Sequence, residues 1–137
     1  MFYMKKKKTK NKKVIMVIDD NPDLLYSVKE GLKSLSNDYE VVTVDSGRKC
    51  LQLLEETKPD LILLDIMMPG MDGWDTCAKI KDNKKTENIP IVFLTARTDT
   101  ISKSMGGLAS ADYITKPFDM EDLKKRIDSV IKSKGKK

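Results

Sequence analysis

Along residues 14–131, short apolar runs rich in β-branched residues alternate five times with longer segments of helical period. Strands are predicted at 14–18 (VIMVI), 40–44 (EVVTV), 60–64 (DLILL), 90–94 (PIVFL) and 111–114 (ADYI). The first helix opens with Asn21 as N-cap, Pro22 at the first helical position and Asp23 in the first turn; Leu24, Val28, Leu32 and Leu35 form its apolar stripe. A second helix is predicted over 46–57, with Cys50, Leu51 and Leu54 inward and Pro59 beyond its end. A third spans 73–83 after Asp72-Gly73, and a fourth spans 98–107, weakened at Gly106-Gly107. The fifth spans 119–133 with Asp119 as cap, burying Leu123, Ile127, Val130 and Ile131.

Strands alternating with helices imply an α/β fold: a doubly wound parallel sheet with right-handed crossovers and helices on both faces. The runs 14–18 and 60–64 are continuously apolar, as central strands buried on both sides must be. A length of 137 residues suits one core, so a single domain is expected over 14–131, flanked by disordered basic tails at 1–13 and 132–137.

Charge supports that division. Residues 1–13 hold seven lysines and residues 132–137 hold four, with no acid in either stretch. Without these eleven, fifteen of the 26 basic residues face all 21 acids, leaving residues 14–131 with a net charge of −6. The lysine runs read as solvated tails, and they lack the interleaved aromatic residues or basic helix face that nucleic-acid or anionic-lipid attachment would favour. Nucleic-acid binding is therefore not expected from this chain. Its longest apolar runs are too short to span a bilayer, and the order of charge and apolarity near Met1 does not suit a secretory signal, so a cytoplasmic location is expected. Cys50 and Cys77 lie in helical patterns without CxxC spacing and read as buried free thiols. The absence of histidine excludes Ser-His and Cys-His nucleophiles and His-ligated metals.

Ligands of open parallel sheets sit beyond the carboxyl ends of the strands. Asp19 and Asp20 follow the first predicted strand, Asp65 the third, Thr95 the fourth, and Thr115 and Lys116 the fifth; Asp45-Ser46 follow the second, expected at the sheet edge. Carboxylates gathered in one crevice repel by roughly 4 kcal/mol per pair at about 4 Å and an effective dielectric near 20. A hard divalent cation with oxygen ligands relieves this, and Mg2+ suits a few carboxylates, a carbonyl, waters and a phosphoryl oxygen. Lys116 adds a point charge and Thr95 a hydroxyl. On this set Asp65 can attack phosphorus as an ionised nucleophile, with Asp20 and Asp65 on Mg2+ and Asp19 reaching it directly or through water.

In IDDNP (18–22), LILLDIMMPGMDGW (61–74), FLTAR (93–97) and DYITKPF (112–118), the chain resembles the receiver domain of two-component response regulators, including the small chemotaxis regulator. The resemblance covers about 14–131. It implies a flavodoxin-like strand order 2-1-3-4-5, Asp65 as phosphoacceptor, and Asp19 and Asp20 as the acidic pair for Mg2+, with the main-chain carbonyl of Met67 as a further ligand. It also implies Thr95 and Lys116 at the phosphoryl oxygens, a cis Lys116-Pro117 peptide, Tyr113 as switching aromatic, and Pro69, Gly70 and Gly73 shaping the loop after the acceptor. Ala109-Ser110 replace the Gly-Ala of many relatives, which bears on the local turn. The resemblance further implies that Met67 and Arg97 occupy positions that, in such domains, modulate how readily water attacks the phosphoryl group. The apolar Met67 side chain is expected to shield the phosphoryl group, an expectation that an unchanged hydrolysis rate in Met67→Asn would remove.

The expected function is a phosphoacceptor signalling domain. Asp65 takes a phosphoryl group from a sensor histidine kinase or phosphotransfer protein, and Thr95 and Tyr113 then remodel the face of the fourth helix, fifth strand and fifth helix for an unknown downstream protein. Catalysis is expected only of its own phosphorylation and dephosphorylation. Few residues follow the fifth helix, so no output domain is expected within this chain. Alternatives are the receiver part of a longer regulator, a phosphorylation-independent interaction module, and a phosphatase of external substrates. The last commonly needs an acid two residues after the nucleophile, where this chain has Met67.

Overall fold

The structure, a computed structural model, describes residues 12–96 and 112–135. Strands β1 (Lys13–Ile18), β2 (Tyr39–Val44), β3 (Leu61–Asp65), β4 (Ile91–Thr95) and β5 (Asp112–Thr115) form one parallel sheet in the order β2-β1-β3-β4-β5. The described helices are α1 (Pro22–Leu35), α2 (Gly47–Leu53), α3 (Gly73–Lys81) and α4 (Met120–Gly135). This is the flavodoxin-like arrangement that the resemblance implied. The helix expected over 98–107, together with Arg97, Ala109 and Ser110, lies outside the described residues.

Side chains alternate across the sheet and so divide the core in two. Ile15, Val17, Leu61, Leu63, Val92 and Leu94 meet Val28 and Leu32 of α1 and Leu123 and Ile127 of α4. Met16, Ile18, Ile62, Leu64, Ile91 and Phe93 meet Cys50 of α2 and Cys77 and Ile80 of α3. Both cysteines are buried and free.

Helix starts follow the sequence closely. Asn21 accepts from the backbone N–H groups of Asp23 and Leu24 ahead of Pro22, Ser46 caps α2 through Lys49 N–H, and Asp72 caps α3 through Asp75 N–H. Asp119 accepts from Glu121 and Asp122 N–H at the start of α4.

Several expectations are corrected. α1 buries Leu25, Val28 and Leu32, while Leu35 stands 38% exposed, so the helix is rotated from the expected stripe. α2 ends at Leu53 rather than 57, because Glu55 and Glu56 N–H turn back to the carbonyls of Gln52 and Leu53 in tighter three-residue bonds. α3 stops at Lys81, two residues early. Lys13 belongs to β1, its N–H donating to Asp38 O, and α4 continues to Gly135, so neither lysine-rich flank is wholly a tail. Asp65 and Thr95, expected just after their strands, are the last residues of β3 and β4.

Candidate functional site

The strand register brings the acidic residues together. Ile18 of β1 pairs with Leu64 of β3, so Asp19 and Asp65 emerge side by side at the carboxyl edge of the sheet. Thr95 pairs with Thr115, and the following Lys116 N–H donates to Thr95 O at 2.6 Å, which fixes Lys116 at the same edge. The Lys116-Pro117 peptide is cis.

Lys116 Nζ donates to Asp19 Oδ2 at 2.8 Å and to Asp65 Oδ1 at 3.1 Å. Asp19 is 1% exposed, and its other oxygen, Oδ1, accepts from Asn21 N–H at 2.9 Å. Both of its oxygens are thus occupied. Asp65 is 4% exposed, and its one side-chain hydrogen bond among the described residues is from Lys116 to Oδ1. Asp20 is exposed. One carboxylate oxygen from each of Asp19, Asp20 and Asp65 lies within 4.8 Å of the others, a group able to hold a metal ion.

The electrostatics follow from one cation among three acids. Burial pushes the Asp65 carboxyl above its usual range and the nearby Asp19 pushes it further, with Lys116 only partly offsetting them. Burial by itself would lower the Lys116 pKa, yet its bonds to and charge attraction by Asp19 and Asp65 outweigh that and raise it. Lys116 is therefore firmly cationic. A hard cation fits this donor set, because the acids outnumber the lysine and all the offered atoms are oxygen.

Close backbone contact holds the end of β3. A Cβ on Gly73 would collide with Asp65 O and approach Ile66 Cα to 2.7 Å, and Gly73 N–H donates to Ile66 O at 2.8 Å. Gly70 adopts φ 75°, which favours glycine. Met67 is 76% exposed. Thr95 is buried at 4% exposure at the end of β4.

Tyr113 stacks on Phe93 at 5.9 Å between ring centroids, and Phe93 meets Trp74 of α3 at 4.7 Å, so Trp74 packs its helix on the sheet. The Tyr113 hydroxyl is buried with no hydrogen-bond partner among the described residues. Sequence reasoning missed three supports: the Asn21 N–H that fixes Asp19, the Asp60 carboxylate that accepts from Val14 N–H at 2.7 Å, and Arg126, which bonds Asp112 and Tyr113 O. The Asn-Pro after Asp19 and the Pro-Asp before Leu61 were the available signals for the first two.

Residues 15–128 match the family model of the response regulator receiver domain. The chain belongs to that family. Receiver domains are phosphoacceptor modules of two-component signalling. Protein PilG of Pseudomonas aeruginosa is 36% identical to this receiver domain over 110 residues, covering 80% of each chain. The uncharacterized transcriptional regulatory protein YrkP of Bacillus subtilis is 43% identical over 114 residues, 82% of this chain and 47% of that protein. Among solved structures, the response regulator protein TrrA of Thermotoga maritima, in complex with Mg(2+)-BeF, superimposes with a TM-score of 0.76 at 31% identity, covering 86% of this chain and 98% of that one. This receiver domain spans only 9%, 47% and 27% of the length of three curated relatives it matches. No helix among the described residues is long and apolar enough to cross a membrane.

Proposed function

We propose that Asp65 is the phosphoacceptor of this receiver domain and that the phosphoryl group comes from a phosphohistidine of a sensor kinase or phosphotransfer protein. The observation that carries this reading is the state of Asp65 itself: buried at a strand end and held by Lys116 through Oδ1 alone among the described residues. The other oxygen forms the new O–P bond as the P–N bond of the donor breaks, and the imidazole leaves with the bonding pair. No protein base is required, since an ionised carboxylate already carries the attacking pair.

Asp20, Asp65 and the main-chain carbonyl of Met67 would hold Mg2+, with Asp19 acting directly or through water. The ion would supply charge neutralisation at the phosphoryl oxygens. Once Asp65 carries the phosphoryl group, Lys116 turns its ammonium from Asp65 Oδ1 to those oxygens, and the Thr95 hydroxyl donates to them. Tyr113 then changes its packing on Phe93, and the face carrying β5 and α4 presents a different surface to a downstream protein. The exposed Met67 side chain limits the approach of water and lengthens the phosphorylated state. Turnover is confined to the domain's own acyl phosphate, the receiver unit spans 14–131, and its location is cytoplasmic.

Labelling by acetyl phosphate tests the reading. Wild type is expected to incorporate one phosphoryl group in the presence of Mg2+ and none in EDTA, and Asp65→Asn none in either. Equal incorporation in Asp65→Asn would displace the assignment, and a folded wild type that never labels from either acetyl phosphate or a kinase would favour a phosphorylation-independent module.

A further inference from the structure

β2 is the terminal strand of the sheet and pairs with β1 on one side only. Its register says which residues face outward. Lys13 N–H donates to Asp38 O and Asp19 N–H to Val44 O, and the unbroken parallel register between them repeats that pattern at every second residue. Glu40, Val42 and Val44 thus direct their N–H and C=O groups at β1, while Tyr39, Val41 and Thr43 direct theirs away from the sheet. On that outer side none of these three has a backbone hydrogen bond among the described residues. Proline, lysine or a bulge usually protects such an edge from pairing. β2 has none of them: Tyr39–Val44 reads YEVVTV and pairs residue for residue along its length.

The space beside this edge is open, and its charge differs from end to end. At the amino end a groove of about 290 Å³ is lined by Lys12, Lys29, Lys33 and Glu40 beside Tyr39 and Val41. At the carboxyl end a groove of about 510 Å³ is lined by Asp45, Lys49 and Glu56 beside Thr43 and Val44. Asp45 pairs with Lys49 at 3.2 Å, whereas Lys29, Lys33 and Glu56 form no ion pair among the described residues. Lysine is therefore in excess at one end and acid at the other. An edge charged in this way is complementary to a second copy of itself running in the opposite direction.

We propose that two copies of this chain pair through the free edges of β2, antiparallel about a two-fold axis that passes by Val41 perpendicular to the sheet, joining two sheets into one. The outward residues are symmetric about Val41. Val41 exchanges both backbone bonds with its own counterpart, and Tyr39 does so with Thr43 of the second copy. Glu40 then lies opposite Val42, so no like charges face each other across the strand pair. A two-fold axis along the strands would instead set outward residues level with outward residues, and a parallel ladder needs them offset by one. α1 runs antiparallel to β2, with Leu25 near Thr43 and Lys33 near Tyr39, so the proposed axis also sets the two α1 helices antiparallel. Tyr26, 69% exposed and on the helical stripe of Lys29 and Lys33, then comes toward Lys33 of the second copy. The lysine-rich groove of each copy faces the Asp45–Glu56 groove of the other, and the two carboxylate sites open at opposite ends of the joined sheet.

Analytical ultracentrifugation and amide hydrogen exchange of the full 137-residue chain test the proposal. A monomer should pass to a dimer and no further as concentration rises, because a two-fold contact is closed. The Val41 and Thr43 amides should exchange about tenfold or more slowly in the dimer than in the dilute monomer, while those of Val42 and Val44, already bonded to β1, are slow in both. Lys29→Glu/Lys33→Glu should raise the dimer Kd about tenfold, and Asp45→Lys/Glu56→Lys should do the same. Mixing these two variants should restore association, since each then carries the charge that the other lacks. Thr43→Pro, which removes an outward N–H at an edge position that tolerates proline, should be monomeric with a cooperative thermal melt. If that variant fails to fold, amide exchange and the mixing experiment still decide. A wild type that stays monomeric at every concentration, or a dimer in which the Val41 and Thr43 amides exchange as fast as in the monomer, would overturn the proposal. So would a mixture that associates no better than its parts, or a folded Thr43→Pro that dimerises like wild type.

Discussion

Asp19 and Asp65 share a lysine but have different duties, and their hydrogen bonds decide which is which. With Oδ1 on Asn21 N–H and Oδ2 on Lys116, Asp19 is a fixed charge, whereas Asp65 is held by Lys116 through Oδ1 alone among the described residues, as the proposed acceptor role requires. Burial acts on Cys50 in the same direction as on Asp65, but without a neighbouring cation to offset it. Removal from water pushes its thiol from 9.0 up to about 12, with no cation to stabilise the thiolate. At pH 8 the native thiol is therefore protonated and enclosed. Native protein should react with iodoacetamide at Cys50 orders of magnitude more slowly than urea-unfolded protein, as mass spectrometry of the modified peptide would record. The raised folded pKa also fixes the sign of the linkage: the contribution is constant below the ordinary thiol range and falls as pH climbs from 9 toward 12, because the unfolded thiol loses its proton first. Rapid native labelling at pH 8 would contradict the enclosed environment.

The α3 start and the end of β3 are a single mechanical unit, because Gly73 packs directly on the backbone of Asp65 and Ile66. Gly73→Ala should destabilise the domain by about 1–3 kcal/mol, the usual cost of forcing a methyl into a filled space. If Asp65 is the acceptor proposed above, it should also reduce Asp65 labelling beyond what unfolding explains, since the displaced atoms include the carbonyl of Asp65. Urea melts and labelling at a temperature where the variant is folded separate the two effects; wild-type values in both would exclude the coupling. This contact shows where sequence reading stops. The acids themselves were legible because each closes an apolar run, and strand ends in parallel sheets converge. The phase of α1 was not: stripes 24-28-32-35 and 25-28-32 both obey helical period, and only packing against β2 and α4 chooses Leu25 over Leu35. Strand ends moved by a residue for a related reason. Asp65 and Thr95 continue the backbone ladder opposite Leu94 and Thr115, and hydrophobicity does not register backbone bonds. The Gly73 collision and the Asn21–Asp19 bond join backbone atoms whose proximity is created by the fold.

At the scale of the whole molecule, global stability should depend on the ion that the three carboxylates at the carboxyl edge of the sheet can hold. Lys116 offsets one of three negative charges gathered within 4.8 Å. Asp20 is the member whose removal breaks nothing: it is exposed and makes no hydrogen bond or ion pair among the described residues, yet its charge helps raise the Asp65 pKa. Asp20→Asn should therefore stabilise the protein in EDTA, by up to about 1 kcal/mol once solvent screening of an exposed charge is allowed for. Added Mg2+ should stabilise wild type in proportion to RT ln(1 + [Mg2+]/Kd), through preferential binding to the folded carboxylate cluster. The same addition should move the Asp20→Asn midpoint much less, so the two urea curves approach or cross as Mg2+ rises. A wild-type midpoint indifferent to Mg2+, or an Asp20→Asn protein less stable than wild type in EDTA, would mean that these carboxylates do not repel as a group and that the acidic edge is not organised around a cation.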